Sequence, residues 1–474
     1  MKKSPVLWIF LAALAVRFIP VFLSINVGIG LDDMFQYDML GRSLTAGNGF
    51  RWYSEPDLNL IRQYIPIDTS KIEYDPRGIE ASFRGPMYPV FLAAVYLISG
   101  LTHRFFAARL AQAVLGALLA LMTYALARRL DPEKERTARA AGWTIALYPM
   151  LALFPLALAT ENIFFVLTLG AVLLLLRAAE TGRMRTYALA GAVAALAILT
   201  RSVISLFIPL AMMWAWRNAR SLRGALVFAC VAAVVTFPWA LRNTLLAGRP
   251  IFVESSMGYN LYMGYHPQST GTFQYGISVD LLTIFDDMER DQVGATKAME
   301  FIRADPGRIP ELIVNKAGYF FGLERRALTY FYSNNLFGYI PPAPLAAIAL
   351  LFLLPFVLLV PAAAFGGSVL PRSNAKILVL LFLLAYVTPH LFIIAEERFH
   401  MTILPFLAVF AAAALMRGRE ILASLRSPRE WRRWALPVLV TLLLLYCWGH
   451  ELASDSAHLA LLFGPDGNTA GFPY

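Results

Sequence analysis

The sequence predicts an all-α integral membrane fold of about 11 transmembrane helices, with outer juxtamembrane helices in the first and fourth outer loops. Three observations predict it. The 474 residues are 58% apolar and 13% aromatic, with only 15% charge, whereas a soluble chain is about half apolar and about a quarter charged. Apolar runs long enough to cross a hydrocarbon core of about 30 Å recur from Val6 to the region of Glu451. Between alternate runs the bases gather in short stretches, the pattern of cytoplasmic loops.

Taken in order, the expected spans cover 6–25, 105–126, 140–157, 161–177, 187–200, 202–216, 224–241, 341–366, 377–394, 400–416 and 434–452. The first reads as a retained helix, because Met1 to Ser24 has lysines and an apolar stretch but no small-residue cleavage site. With the amino terminus inside, the clusters around Arg128 and Arg136, Arg177 and Arg185, Arg217 and Arg223, and the six arginines between Arg417 and Arg433 all fall inside. Residues 86–101 are apolar enough to span, but counting them would put every later basic cluster outside, so they read as a juxtamembrane or re-entrant helix. The pair 187–200 and 202–216 reads as two short helices, each about 21 Å long, meeting at Arg201 below the outer surface. The alternative, one long helix over 187–216, places Arg217 to Arg223 on the wrong side.

Residues 1–474 read as a single membrane domain with a first outer loop at 27–104 and a second large outer loop at 242–340. The second loop holds two helical patterns, Asp286 to Ala304 and Ile309 to Ala327, divided by Asp305-Pro306-Gly307. Leu312, Ile313, Ala317, Phe320 and Phe321 form an apolar stripe that would lie on the membrane or the protein body. The net charge of +10 is a topology signal, and no aromatic-interleaved basic face suggests nucleic acid. Cys230 and Cys447 lie inside apolar segments and build neither a disulfide framework nor a metal site.

Charged residues at the outer ends of the spans are the candidates for chemistry. Asp32 and Asp33 follow the first span, where either can act as a general base, a close acid neighbour helping to raise its pKa. Arg84, in Phe83-Arg84-Gly85-Pro86-Met87-Tyr88-Pro89, offers the planar donor fork that suits phosphate oxygens. Glu161 opens its span after Leu158-Ala159-Thr160. Arg201 is the sharpest candidate, since an arginine near membrane depth needs a partner, either a lipid phosphate or an acid such as Glu161. Arg242 ends Phe237-Pro238-Trp239-Ala240-Leu241-Arg242-Asn243, and Arg398 stands in Glu396-Glu397-Arg398-Phe399-His400. Each of these positions has a plain alternative as a solvated acid or a headgroup anchor. His266 and His390 are the outer histidines that could join a carboxylate at a metal, but no spacing matches a dedicated metal motif.

In this order the segments resemble the GT-C superfamily of polyprenyl-phosphate-sugar-dependent glycosyltransferases, in the branch of the protein mannosyltransferases and lipid A aminoarabinose transferases. The resemblance runs from Asp32-Asp33 through Gly47-Asn48-Gly49-Phe50, Arg84-Gly85-Pro86-Met87-Tyr88-Pro89, Thr160-Glu161, Leu199-Thr200-Arg201 and Phe237 to Asn243. It continues with Gly258-Tyr259-Asn260-Leu261 and Glu397-Arg398-Phe399 with Pro405. It implies an inverting transfer from a polyprenyl-monophosphate-linked sugar to a lipid, glycan or protein acceptor, with Asp33 or Asp32 as base. Arg84, Arg201, Arg242 and Arg398 would bind the donor phosphate, and Glu161, Tyr88, Glu397 and His266 the substrates. Some relatives carry Glu-Lys-Pro where this chain has Phe83-Arg84-Gly85-Pro86, so the metal is unknown: no cofactor is assigned and a divalent ion stays open. Membrane lipids are the other partners. The setting expected is a bacterial plasma membrane, amino terminus cytoplasmic and site on the outer face. The competing class is a lipid or solute transporter, but the sequence lacks the repeated halves and midplane charges of that class.

Overall fold

The computed structural model describes residues 5–30, 32–64, 74–282, 284–325, 340–427 and 430–464. Among them the only sheet is two-stranded, β1 (Arg51–Trp52) antiparallel to β2 (Ile79–Glu80). The other regular elements are helical, as the composition demands of a multi-pass membrane protein.

Among the described residues, eight helical segments are long and apolar enough to cross a membrane. They are α1 (Pro5–Leu23), α5 (Arg104–Leu130), α8 (Glu161–Thr181) and α11 (Leu222–Ala247), then Pro342–Val369, Asn374–Phe392, Glu397–Met416 and Trp431–Ser454. The three remaining expected spans are shorter or broken. One is split between α6 (Glu135–Leu147) and α7 (Pro149–Leu153), because Pro149 has no N–H to continue the ladder. The other two are α9 (Met184–Thr200) and α10 (Phe207–Arg217), the latter entered through a 3-10 turn, Ser202–Leu206. The chain does break at Arg201, whose backbone is extended at φ −149°, ψ 114°.

The break after α6 frees carbonyl groups in an apolar interior, and Arg17 of α1 answers them. Fully buried, it donates to Ala146 O at 2.9 Å, Ile145 O at 3.0 Å and Ala13 O at 3.0 Å. Arg17→Met keeps the stem but strands those carbonyls, so a loss of about 3 kcal/mol is expected. A melt in detergent within a degree of the unaltered protein would show that the carbonyls find other donors.

The first outer loop carries α2 (Asp33–Thr45), α3 (Glu55–Ile61) and α4 (Met87–Ser99). The α4 helix, of 13 residues, is about 20 Å long and too short to cross alone. It packs against α2, α5 and α9. In the second loop stand α12 (Met257–Tyr265), α13 (Tyr275–Leu282), α14 (Asp287–Ala304) and α15 (Ile309–Phe320). A 3-10 turn at Pro306–Arg308 makes the break foreseen there. The second pattern ends at Phe320, earlier than expected, and the expected last residues 326 and 327 lie outside the described residues. Leu312 and Phe320 of its stripe are buried against the protein body, Phe320 contacting Tyr386 and His390.

Charge divides between the two ends of α5. At its first residue Arg104 pairs with Asp38 at 2.7 Å. Around its last turn lie Arg129–Glu180 at 3.2 Å, Arg417–Asp131 at 2.6 Å and Lys134–Glu420 at 2.6 Å.

Candidate active site

The segment between α1 and α2 is fixed before any functional side chain is placed. Arg109 of α5, itself buried, collects the carbonyls of Ser24 (3.2 Å), Val27 (2.6 Å), Gly28 (2.7 Å) and Leu156 (3.0 Å). From there Asp32 caps α2, its Oδ1 accepting the Met34 N–H at 2.8 Å. A short polar side chain at a helix start is expected to do this. The helix therefore begins at Asp33. Asp33, Gln36 and Tyr37 consequently share one face at i, i+3 and i+4. Farther along, Asp38 pairs with Arg42 one turn on in the same helix (2.8 Å) and anchors α2 to Arg104 (2.7 Å) and the Tyr96 hydroxyl (3.0 Å).

Arg84 reaches that face. Its guanidinium ion-pairs with Asp33 and donates through Nε to Gln36 Oε1 at 2.9 Å. It lies over the rings of Phe83 (4.9 Å) and Tyr37 (5.2 Å). Gly85 allows the approach: a Cβ there would stand 2.5 Å from the carbonyl oxygen of Leu199. The loop thus rests directly on the end of α9, beside Arg201.

Arg201 donates to Glu161 Oε1 at 2.6 Å, and Thr160 donates to the other carboxylate oxygen at 3.0 Å. The ion pair foreseen as its structural alternative is present. Phe399 lies beneath Arg201 at 4.9 Å. Arg398 joins the two halves. It donates to Asp33 Oδ2 at 3.2 Å, pairs with Glu396 at 3.0 Å, and stands within electrostatic reach of Glu161 and Arg201.

Asp33, Arg84, Glu161, Arg201 and Arg398 therefore form one cluster. Its members come from α2, the loop before α4, the start of α8, the end of α9 and the turn Glu397–Ile403. Other expected residues lie elsewhere. Arg242 donates to Ala81 O at 2.6 Å and lies over Trp239, so it props the loop behind Arg84 and makes no ion pair in the cluster. Tyr88 is fully buried, its hydroxyl bonded to Gln112 at 2.6 Å and its ring set edge-on to Tyr37. His266 packs on Tyr262 and Phe301 in the second loop. Glu397 opens the 3-10 turn half-buried, while the pairing with Arg398 is made by its neighbour Glu396.

Gln36, Phe399, Glu396 and Glu254 were not foreseen. Glu254 accepts from Ser202 at 2.6 Å and stands in electrostatic reach of Arg84. Gln36 was legible as the residue one turn beyond the acidic pair. Glu254 follows Ile251-Phe252-Val253 in a loop between helices and left no signal.

The two neighbouring aspartates differ electrostatically. Crowding by protein pushes the Asp32 carboxyl up despite the amide it accepts, and the Asp33 charge adds to this. Burial would raise Asp33 too, but the charges of Arg84 and Arg398 prevail and hold it well below the usual carboxylate range. Burial alone would lower Arg84, whereas Asp33 raises it. Among the described residues no group of three or more His, Cys, Asp or Glu side chains is placed to hold a metal ion.

The resemblance noted from the sequence is borne out by comparison. Residues 83–241 match the model of the dolichyl-phosphate-mannose-protein mannosyltransferase family, a stretch that holds Arg84, Glu161 and Arg201. The oligosaccharyltransferase of Archaeoglobus fulgidus in the apo form superposes with a TM-score of 0.50 at 17% identity, over 99% of this chain and 59% of that one. This chain thus spans less than two thirds of that enzyme, and the likeness is one of fold. ArnT from Cupriavidus metallidurans bound to undecaprenyl phosphate gives a TM-score of 0.38 at 16% identity, over 88% of this chain and 79% of that one. No curated protein matches by sequence.

Proposed function

We propose that this GT-C-like membrane protein is an inverting glycosyltransferase that moves a sugar from a polyprenyl-monophosphate carrier to a lipid, glycan or protein acceptor. One observation carries the reading. Three arginines from distant parts of the chain converge on Asp33 and Glu161, with a second carboxylate, Asp32, next door and outside the ion pairs. The match of 83–241 to a family that uses a dolichyl-phosphate-linked sugar supports the donor class.

In the proposed reaction Asp32 takes the proton of the acceptor hydroxyl or amine through the carboxylate oxygen that does not cap α2. The acceptor atom bonds to the anomeric carbon as the bond from that carbon to the phosphate oxygen breaks. The electron pair leaves with the polyprenyl phosphate, whose charge Arg84 and Arg398 stabilise. Because the leaving group is already an anion of a strong acid, fixed positive charge replaces protonation. Asp33, held low by two arginines, is a poor base, but it keeps both guanidinium forks aimed at one place.

On this reading residues 1–474 act as one membrane domain whose 27–104 and 242–340 loops build the site. The site end faces outward from a bacterial plasma membrane and the amino terminus is cytoplasmic. The basic residues around Arg129, Lys134 and Arg417 at the far end of α5 support that orientation.

Proteoliposomes given a radiolabelled polyprenyl-monophosphate sugar are expected to pass label to a co-reconstituted lipid or glycan acceptor. Movement of intact donor between leaflets with no product would replace this reading with a transporter.

A further inference from the structure

We propose that Asp287, in the second outer loop, is a positioning residue that aims Arg84 of the first. The inference rests on the phosphate-binding role given to Arg84. Asp287 is the buried first residue of α14. Its Oδ2 accepts two successive backbone N–H groups, Ser82 at 2.9 Å and Phe83 at 3.1 Å, across more than two hundred residues of sequence. Its Oδ1 is ion-paired with Arg290, which is also buried and lies over the Phe83 ring at 4.5 Å. Ser82 is tied a second time to the same loop, with Ser255 N–H donating to its carbonyl at 2.9 Å and the two hydroxyls 2.7 Å apart.

Arg84 is the next residue, and Gly85 after it rests on the last carbonyls of α9. The tetrad 82–85 is thus gripped on one side by a carboxylate of α14 and on the other by the end of α9. That grip leaves the Arg84 side chain directed at Asp33 and Gln36. A loop peptide held only by its neighbours in sequence would have no such direction, and a misplacement of about 1 Å at a charged site is worth roughly 100-fold in rate. A carboxylate serves both contacts, one oxygen accepting both amides while the other answers Arg290. Asp287 itself touches no residue of the ion-pair cluster, so its effect must pass through the backbone of 82–83.

The test uses the full-length protein in detergent, with a polyprenyl monophosphate as probe. Its affinity is measured for Asp287→Ala, Arg84→Ala and the double variant, with hydrogen exchange of the 81–85 peptide in each. Asp287→Ala is expected to weaken the probe about 10-fold and to strip exchange protection from 81–85. In the Arg84→Ala background it should weaken binding no further. Independent, multiplicative losses in the double variant, or unchanged protection at 81–85, would overturn the inference. Asp287→Asn keeps an acceptor for the amides but not the partner of Arg290, and should retain most of the affinity and protection. If the alanine variant does not fold, the asparagine variant decides: protection equal to a surface loop would sink the clamp. Should Arg84→Ala alone leave probe affinity unchanged, the phosphate role of Arg84 falls, while exchange still reports whether Asp287 holds the loop.

Discussion

Asp32→Asn is expected to lower the rate of sugar transfer by about 100- to 10,000-fold, the range of a positioned general base, while leaving donor binding near its original strength. Asparagine keeps the oxygen that caps α2 through the Met34 N–H, so the helix start survives and only proton acceptance is lost. The unaltered enzyme should also show an acid limb. A base works only when deprotonated, so the rate falls as pH drops through the pKa of Asp32. That pKa is raised by crowding and by the neighbouring Asp33 charge, so the limb belongs at higher pH than an ordinary aspartate would give. Asp33→Asn makes the contrast: it removes the neighbouring charge and frees two arginines, so its acid limb should move down and its donor affinity should change. A pH profile of Asp32→Asn that keeps the original acid limb would exclude Asp32 as the base.

Arg201→Ala is expected to destabilise the fold by about 3–5 kcal/mol, the usual effect of removing one partner from a buried ion pair. Glu161 is only 2% exposed, and without Arg201 its charge is left with the Thr160 hydroxyl and its own amide as close donors, Arg398 acting only from farther off. Had a lipid phosphate been the sole partner of Arg201, an alanine variant would be expected to fold normally and merely use donor poorly. The pairing reverses that expectation. The double variant Arg201→Met with Glu161→Gln removes both charges and keeps the bulk, so most of the stability should return. If that stable double variant binds polyprenyl monophosphate as tightly as the original, Arg201 serves the fold alone. If it binds more weakly, Arg201 shares the anion with Arg84 and Arg398. A single alanine variant that melts at the original temperature would refute the buried-pair argument.

Much of this site could be read one residue at a time. Asp33, Arg84, Glu161, Arg201 and Arg398 are charges at the ends of long apolar runs, where a charge is conspicuous because hydrocarbon excludes it. What could not be read was which of them meet, because Asp33 and Arg398 are far apart in sequence and no local pattern encodes that contact. Tyr88, Arg242 and His266 lie in or near conspicuous motifs, yet their side chains turn into packing elsewhere. Asp287 was invisible for the opposite reason: it sits in a polar helix, where one more acid is unremarked.

Composition and the spacing of apolar runs determined that the chain is a helical membrane protein, that it breaks at Arg201, and that residues 86–101 form a helix apart from the long spans. These are local consequences of backbone groups that must be satisfied within each segment. Only the tertiary structure decided that Asp33 takes the arginines while Asp32 stays outside them, and that Glu396, and not its neighbour, pairs with Arg398. Adjacent residues on a helix start point in different directions, and the folded neighbours alone determine which direction meets a charge.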